Sequence, residues 1–331
     1  PPMSRIAGFG TTRAGAPVAR VALAAGRLTA GVLTHGAILQ DLRLDDRPLT
    51  LGSDDLAAYD GGPMRHFGAV IGPVAGRLRD GRAALDGQVL TLPPAPMGHA
   101  LHSGAAPLHA KAWEIADAGP AHVTLVTRAA PGEGGLPGAR RFTATYALDS
   151  DGLRLTLTAE TDAATLVNLT HHGYWHMGGP PGLDAHRLQI DTGRYLPVDD
   201  ATLPTGQIAP VAGTRFDLRA PRALPPEPID NCFCLADAPR ARTRAARLEG
   251  PDGTALELDT TAPGLQVYTG EGAGTEGFPG HGGAAYTPRG GLALEPQHWP
   301  DAPNHPQFPS IRLGPGEAWR SDSLFRVLPA D

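Results

Sequence analysis

Lysine is almost absent from this sequence, Lys111 being the single one, so arginine carries nearly all of the positive charge. We attribute that bias to GC-rich coding, and it implies no binding surface. A formal net charge of −6 and a pI near 6.1 leave no basic footprint for nucleic acid or an anionic membrane. A small neutral ligand fits this balance. Cysteine is equally scarce. Cys232 and Cys234 lie two apart, so in an extended segment they point the same way, without sound disulfide geometry. No window approaches about 18 consecutive apolar residues, and the opening PPMSRIAGFG lacks a signal-peptide core. The expectation is a cytoplasmic protein with no membrane partner. Pro1 and Pro2 read as residues added ahead of Met3, and a mature exported chain is the other reading.

Order is not in short supply. Hydrophobic residues make up 41% of the chain, enough for a substantial core, and the 43 glycines and 34 prolines are spread as punctuation. A length of 331 residues would suggest two domains, but all-β folds often exceed about 200 residues as one. The expectation is a single domain over residues 1–331. Period-two alternation dominates: Leu153, Leu155, Leu157 and Ala159 share one face of LRLTLTAET, and the same spacing recurs at Leu28, Ala30 and Val32 and at Leu256 and Leu258. Gly or Pro interrupts nearly every stretch long enough for a three-turn helix. The predicted fold is all-β, a two-sheet antiparallel sandwich with very little helix.

The run NLTHHGYWH, from Asn168 to His176, reads as an active-site strand, with His172, Tyr174 and His176 on one face and His171, Gly173 and Trp175 on the other. A zinc site built on His172 and His176 fails on distance, since about 3.3 Å per residue puts them about 13 Å apart. Downstream, LALEPQHWP sets Glu295 at the end of an apolar run, ahead of Pro296, which biases the glutamate towards an extended conformation and suits a strand ending there at a cleft. A histidine and a glutamate suffice for general acid-base chemistry. In GPVAGRLRDGRAALDGQVLTLPP, Asp86-Gly87 is a strong hairpin signal, and Arg77 is either a ligand contact or a solvated arginine. His102 in GHALHSG, with His99 and His109 as neighbours, is either a site residue or a polar loop residue. Asp230 in PIDNCFCL is either a hydroxyl acceptor or a turn cap. The glycine-rich stretch after Gln266 has no G-K-[ST], which argues against a nucleotide loop.

In the same order along nearly the whole chain, these motifs resemble the aldose 1-epimerase (galactose mutarotase) family. The resemblance implies a galactose mutarotase-like supersandwich and an isomerase that interconverts the α and β anomers of a free galactose- or glucose-like aldose, needing no cofactor and no metal. It assigns His172 as catalytic acid and Glu295 as catalytic base, with Arg77, His102, Asp230 and Gln266 binding substrate. It also implies a monomer or homodimer, with a small sugar as the partner. The chain departs from the family pattern at Gly76, where asparagine is usual, and at His171, His176 and the Asn231-Cys232 pair, which bears on which aldose is preferred. A hexose-6-phosphate 1-epimerase and a non-catalytic carbohydrate-binding β-sandwich are the alternatives. A glycosidase, which would pair Glu295 with Asp230 as its two carboxylates, ranks last.

Overall fold

In the computed structural model, which describes residues 5–93 and 98–330, strands account for nearly all regular structure. Pro1, Pro2 and Met3 lie outside the described residues. Helix is confined to short 3-10 turns such as Leu56–Ala58 and Ala302–Asn304. No described helix is long and apolar enough to cross a membrane. The predicted all-β antiparallel sandwich is the fold observed.

Two large sheets face each other. The nine-stranded sheet runs Glu114–Gly119, His122–Ala129, Arg140–Leu148, Gly152–Thr161, Ala318–Leu328, Ala255–Thr260, Thr243–Glu249, Arg187–Ile190 and Arg222–Ala223 in spatial order. The six-stranded sheet runs Tyr174–Trp175, Leu292–Gln297, Gly264–Tyr268, Asp230–Cys234, Arg194–Tyr195 and Ala209–Pro210. A five-stranded sheet of consecutive strands from Arg5 to Pro48 precedes both. The alternation read from the sequence supplies the inner faces: Leu153, Leu155, Leu157 and Ala159 from one sheet bury against the same core as Leu265, Val267, Leu292 and Leu294 from the other. Trp175 stacks on Phe325 with ring centroids 4.7 Å apart, joining the two layers. Truncating either ring would cost about 3–5 kcal/mol.

The same period of two makes the opposite face of the six-stranded sheet polar. With Leu292 and Leu294 turned to the core, Glu295 and Gln297 share the other face, alongside Gln266 and Tyr268 on the next strand and Asp230 and Cys232 beyond it. Register fixes who meets whom, since Glu295 pairs with Gln266 and Gln266 with Cys232. Cys232 and Cys234 are both free and buried in the strand Asp230–Cys234.

Two expectations about local structure need correction. NLTHHGYWH is not one strand: Thr170–His171 pairs with Val70–Ile71 and Tyr174–Trp175 pairs with Leu292–Ala293, with a break at His172 and Gly173. Side chains still alternate, His172 lying beside Tyr174 and His171 beside Trp175. A Cβ at Gly173 would lie 2.6 Å from the His171 ring, so only glycine fits the break. Nor does the strand bearing Glu295 end there, since it continues through Pro296 to Gln297. Pro296 is tolerated because the neighbouring Tyr174–Trp175 pairing reaches only Ala293, so no ladder bond needs its missing N–H. The Asp86-Gly87 hairpin is as predicted, both residues taking positive φ between Arg82–Leu85 and Gln88–Thr91.

Candidate active site

A cavity of about 240 Å³ opens on the polar face of the six-stranded sheet, and all six predicted residues, Arg77, His102, His172, Asp230, Gln266 and Glu295, line it. They come from six separate stretches of chain. The remaining histidines singled out in the sequence go elsewhere. His171 turns to the core near Tyr146 and Phe325, His176 meets carbonyls of Pro180 and Gly182, and His99 sits by Asp80.

At the centre, His172 Nε2 lies 3.6 Å from Glu295 Oε1, with both side chains buried. His172 is held by its backbone: its N–H donates to the Ala69 carbonyl at 3.0 Å and its carbonyl accepts from Gly68 N–H at 2.9 Å. Burial drives both groups towards their uncharged forms. The Glu295 carboxyl is pushed well above the usual carboxylate range by burial, then by the charge of Asp230, with Arg77 opposing. Burial lowers His172 to about 4. A buried pair so placed titrates as a unit.

The polar rim is built from mutually oriented groups. Gln266 Nε2 donates to Asp230 Oδ1 at 2.7 Å, and Arg77 reaches Asp230 Oδ2 at 3.5 Å. Gly76 N–H donates to His102 Nδ1 at 3.2 Å, so that nitrogen is an acceptor and the proton of neutral His102 sits on Nε2. His102 and Ser103 both take positive φ, and the turn is anchored where Ser103 Oγ accepts from Val74 N–H at 2.6 Å. Burial, followed by neighbouring imidazoles and Arg77, lowers His102 well below the ordinary histidine value, keeping it a neutral donor.

Several buried polar atoms here have no protein partner, among them Glu295 Oε2 and both amide atoms of Gln297. Such atoms are costly unless a ligand or water meets them, and in a sugar-sized cavity they suit hydroxyl groups. Gly76 contributes space: a Cβ there would stand 3.1 Å from Pro300 and 3.7 Å from Gln297 Nε2.

Sequence reasoning missed His66, Gln297 and Tyr268, all of which line the cavity. Gln297 and Tyr268 were findable, lying two residues from Glu295 and Gln266 on the same strand faces. His66 carried no such signal, because it reaches His172 only through the tertiary pairing of Gly68 and Ala69 with His172. His66 stacks on His172 at 5.7 Å between centroids and meets His102 edge-on at 5.0 Å.

The family profile described as aldose 1-epimerase matches residues 19–326. The galactose mutarotase of Rattus norvegicus is 35% identical over 330 residues, covering 94% of each chain. The aldose 1-epimerase of Escherichia coli K12 is 33% identical, covering 79% of this chain and 80% of its own. Among solved structures, an aldose epimerase homologue from C. elegans superposes with a TM-score of 0.87 at 27% identity, over 94% of this chain and 99% of that one.

Proposed function

The chain belongs to the aldose 1-epimerase family of isomerases, and from that premise we propose that the cavity interconverts the anomers of a free galactose- or glucose-like aldose, with Glu295 and His172 as its base and acid. The observation that carries this reading is the opposition of the two side chains, 3.6 Å apart and buried, in one sugar-sized cavity. The pair needs to hold one proton. In the empty cavity burial leaves it on the carboxyl. With the C1 hydroxyl donating to Glu295 and the ring oxygen accepting from His172, the proton resides on His172. Glu295 then takes the C1 hydroxyl proton, the C1–O1 bond becomes a carbonyl, the C1–O5 bond breaks, and O5 takes the His172 proton. Rotation about C1–C2 presents the other face of the aldehyde. Closure reverses each transfer, so no proton is gained or lost.

His102 donates through Nε2 to the ring or a neighbouring hydroxyl, and Arg77 does the same from the segment paired beside it. Asp230 accepts from sugar hydroxyls while Gln266 and Arg77 hold its orientation. Positioned acid or base groups each typically contribute about 10²–10⁴-fold. We read the chain as one catalytic unit, a monomer or homodimer acting in the cytoplasm. One feature favours a phosphorylated hexose as second reading: Arg65 lines the cavity, is exposed, and has no ion pair among the described residues.

Polarimetry of freshly dissolved α-D-galactose, α-D-glucose and L-arabinose tests the reading. Faster approach to anomeric equilibrium is expected, with Glu295→Gln abolishing it. No acceleration with any free sugar, together with binding of sugar phosphates, would move the assignment to the phosphorylated substrate.

A further inference from the structure

We propose that the imidazoles of His66, His102 and His172 form an inhibitory site for a divalent transition-metal cation of the zinc class, occupied in competition with the sugar. The three rings are arranged as a metal would arrange them. Imidazoles bound through nitrogen at about 2.0–2.1 Å to one tetrahedral ion place their ring centroids about 5 Å apart. The centroids here are 5.0 Å (His66–His102), 5.7 Å (His66–His172) and 5.7 Å (His102–His172). One ring nitrogen from each lies within 4.8 Å of the other two. Bound nitrogens sit about 3.4 Å apart in a tetrahedral site, a contraction of up to about 1.4 Å that ring rotation can supply.

Glu295 Oε1, 3.6 Å from His172 Nε2, places a carboxyl beside the ion. Asp230 lies on the same wall, where it meets the Arg77 charge, and the Arg65 guanidinium on the cavity rim opposes a cation. Behind His66, His109 lies edge-on at 4.5 Å and 90°, and its buried Nδ1 has no partner. Binding through His102 Nε2 requires that ring's proton to move to Nδ1, at the cost of the 3.2 Å bond from Gly76. The fourth coordination position faces the cavity and takes water.

An ion on His172 Nε2 occupies the lone pair that must carry the catalytic proton, so turnover stops while it is bound. This competition rests on the proposed function; the site itself does not. The test titrates the wild-type chain and the His66→Phe and His66→Gln variants with zinc by calorimetry and with cobalt by visible absorption, in sugar-free buffer. We expect one ion per wild-type chain, a tetrahedral cobalt spectrum, and affinity at least about tenfold weaker in either variant that folds by circular dichroism. Zinc should also inhibit wild-type mutarotation, reversibly with chelator, and saturating sugar should weaken its apparent affinity. Absence of one-to-one binding, or unchanged affinity in both variants, would overturn the site, and binding indifferent to sugar would overturn its overlap with the catalytic cavity. A chain that binds the ion but does not accelerate mutarotation would instead refute the proposed function.

Discussion

Replacing Glu295 by glutamine keeps the shape of the side chain and removes its proton chemistry, which makes catalysis and stability move in opposite directions. The carboxyl is 3% exposed and its Oε2 has no partner. Losing the proposed base should cost about 10²–10⁴ in kcat, or about 3–5 kcal/mol of barrier. Stability follows the raised pKa of the folded state. The folded protein holds this proton more tightly than the unfolded chain, so the stabilisation is complete below the unfolded value of 4.5 and is lost as pH rises through the folded value. Each unit of separation is worth about 1.4 kcal/mol. Glutamine does not titrate, so the Tm of Glu295→Gln relative to wild type should rise as pH climbs from 4.5 through the folded value, by about 2 °C or less for each kcal/mol in a chain this long. Calorimetric melts across that range, alongside polarimetry at pH 7, measure both effects. Retention of more than about a tenth of wild-type turnover, or a Tm difference independent of pH, would refute the reasoning.

Asp230→Asn removes the charge that helps raise Glu295, so the alkaline limb of the pH–kcat/KM profile should shift to lower pH while KM rises; an unmoved limb would show that the two carboxyls are not coupled. His298 is buried neutral and lowered to about 4, so its stabilisation is full above the unfolded value of 6.5 and is lost as pH falls towards 4. At pH 5 that amounts to about 2 kcal/mol, and denaturant unfolding at pH 7 and pH 5 should show His298→Gln losing correspondingly less stability than wild type. Burial pushes the Cys232 thiol up and the Cys234 thiol up to about 12. Ellman's reagent should therefore react with neither thiol in the folded protein and with two in denaturant; prompt reaction under native conditions would contradict the packing.

Period-two spacing alone determined that Leu153, Leu155 and Leu157 face a core and that the chain is a strand-built sandwich, because alternation is a local property of extended backbone. The motifs around Arg77, His102, His172, Asp230, Gln266 and Glu295 were likewise legible, as was the Asp86-Gly87 hairpin, whose turn chemistry needs only two residues. The sequence could not show the break at His172 and Gly173, which depends on pairing with a strand a hundred residues earlier, nor that Pro296 continues its strand beside an unpaired neighbour. Register between distant strands decided that Glu295 lies against Gln266 and that Asp230 joins the same wall. Tertiary structure alone brought His66 to His172 and buried Glu295 deeply enough to raise its pKa. Spacing along a chain fixes which way a side chain points; only the packing of sheets fixes what it meets there and how much water is left around it.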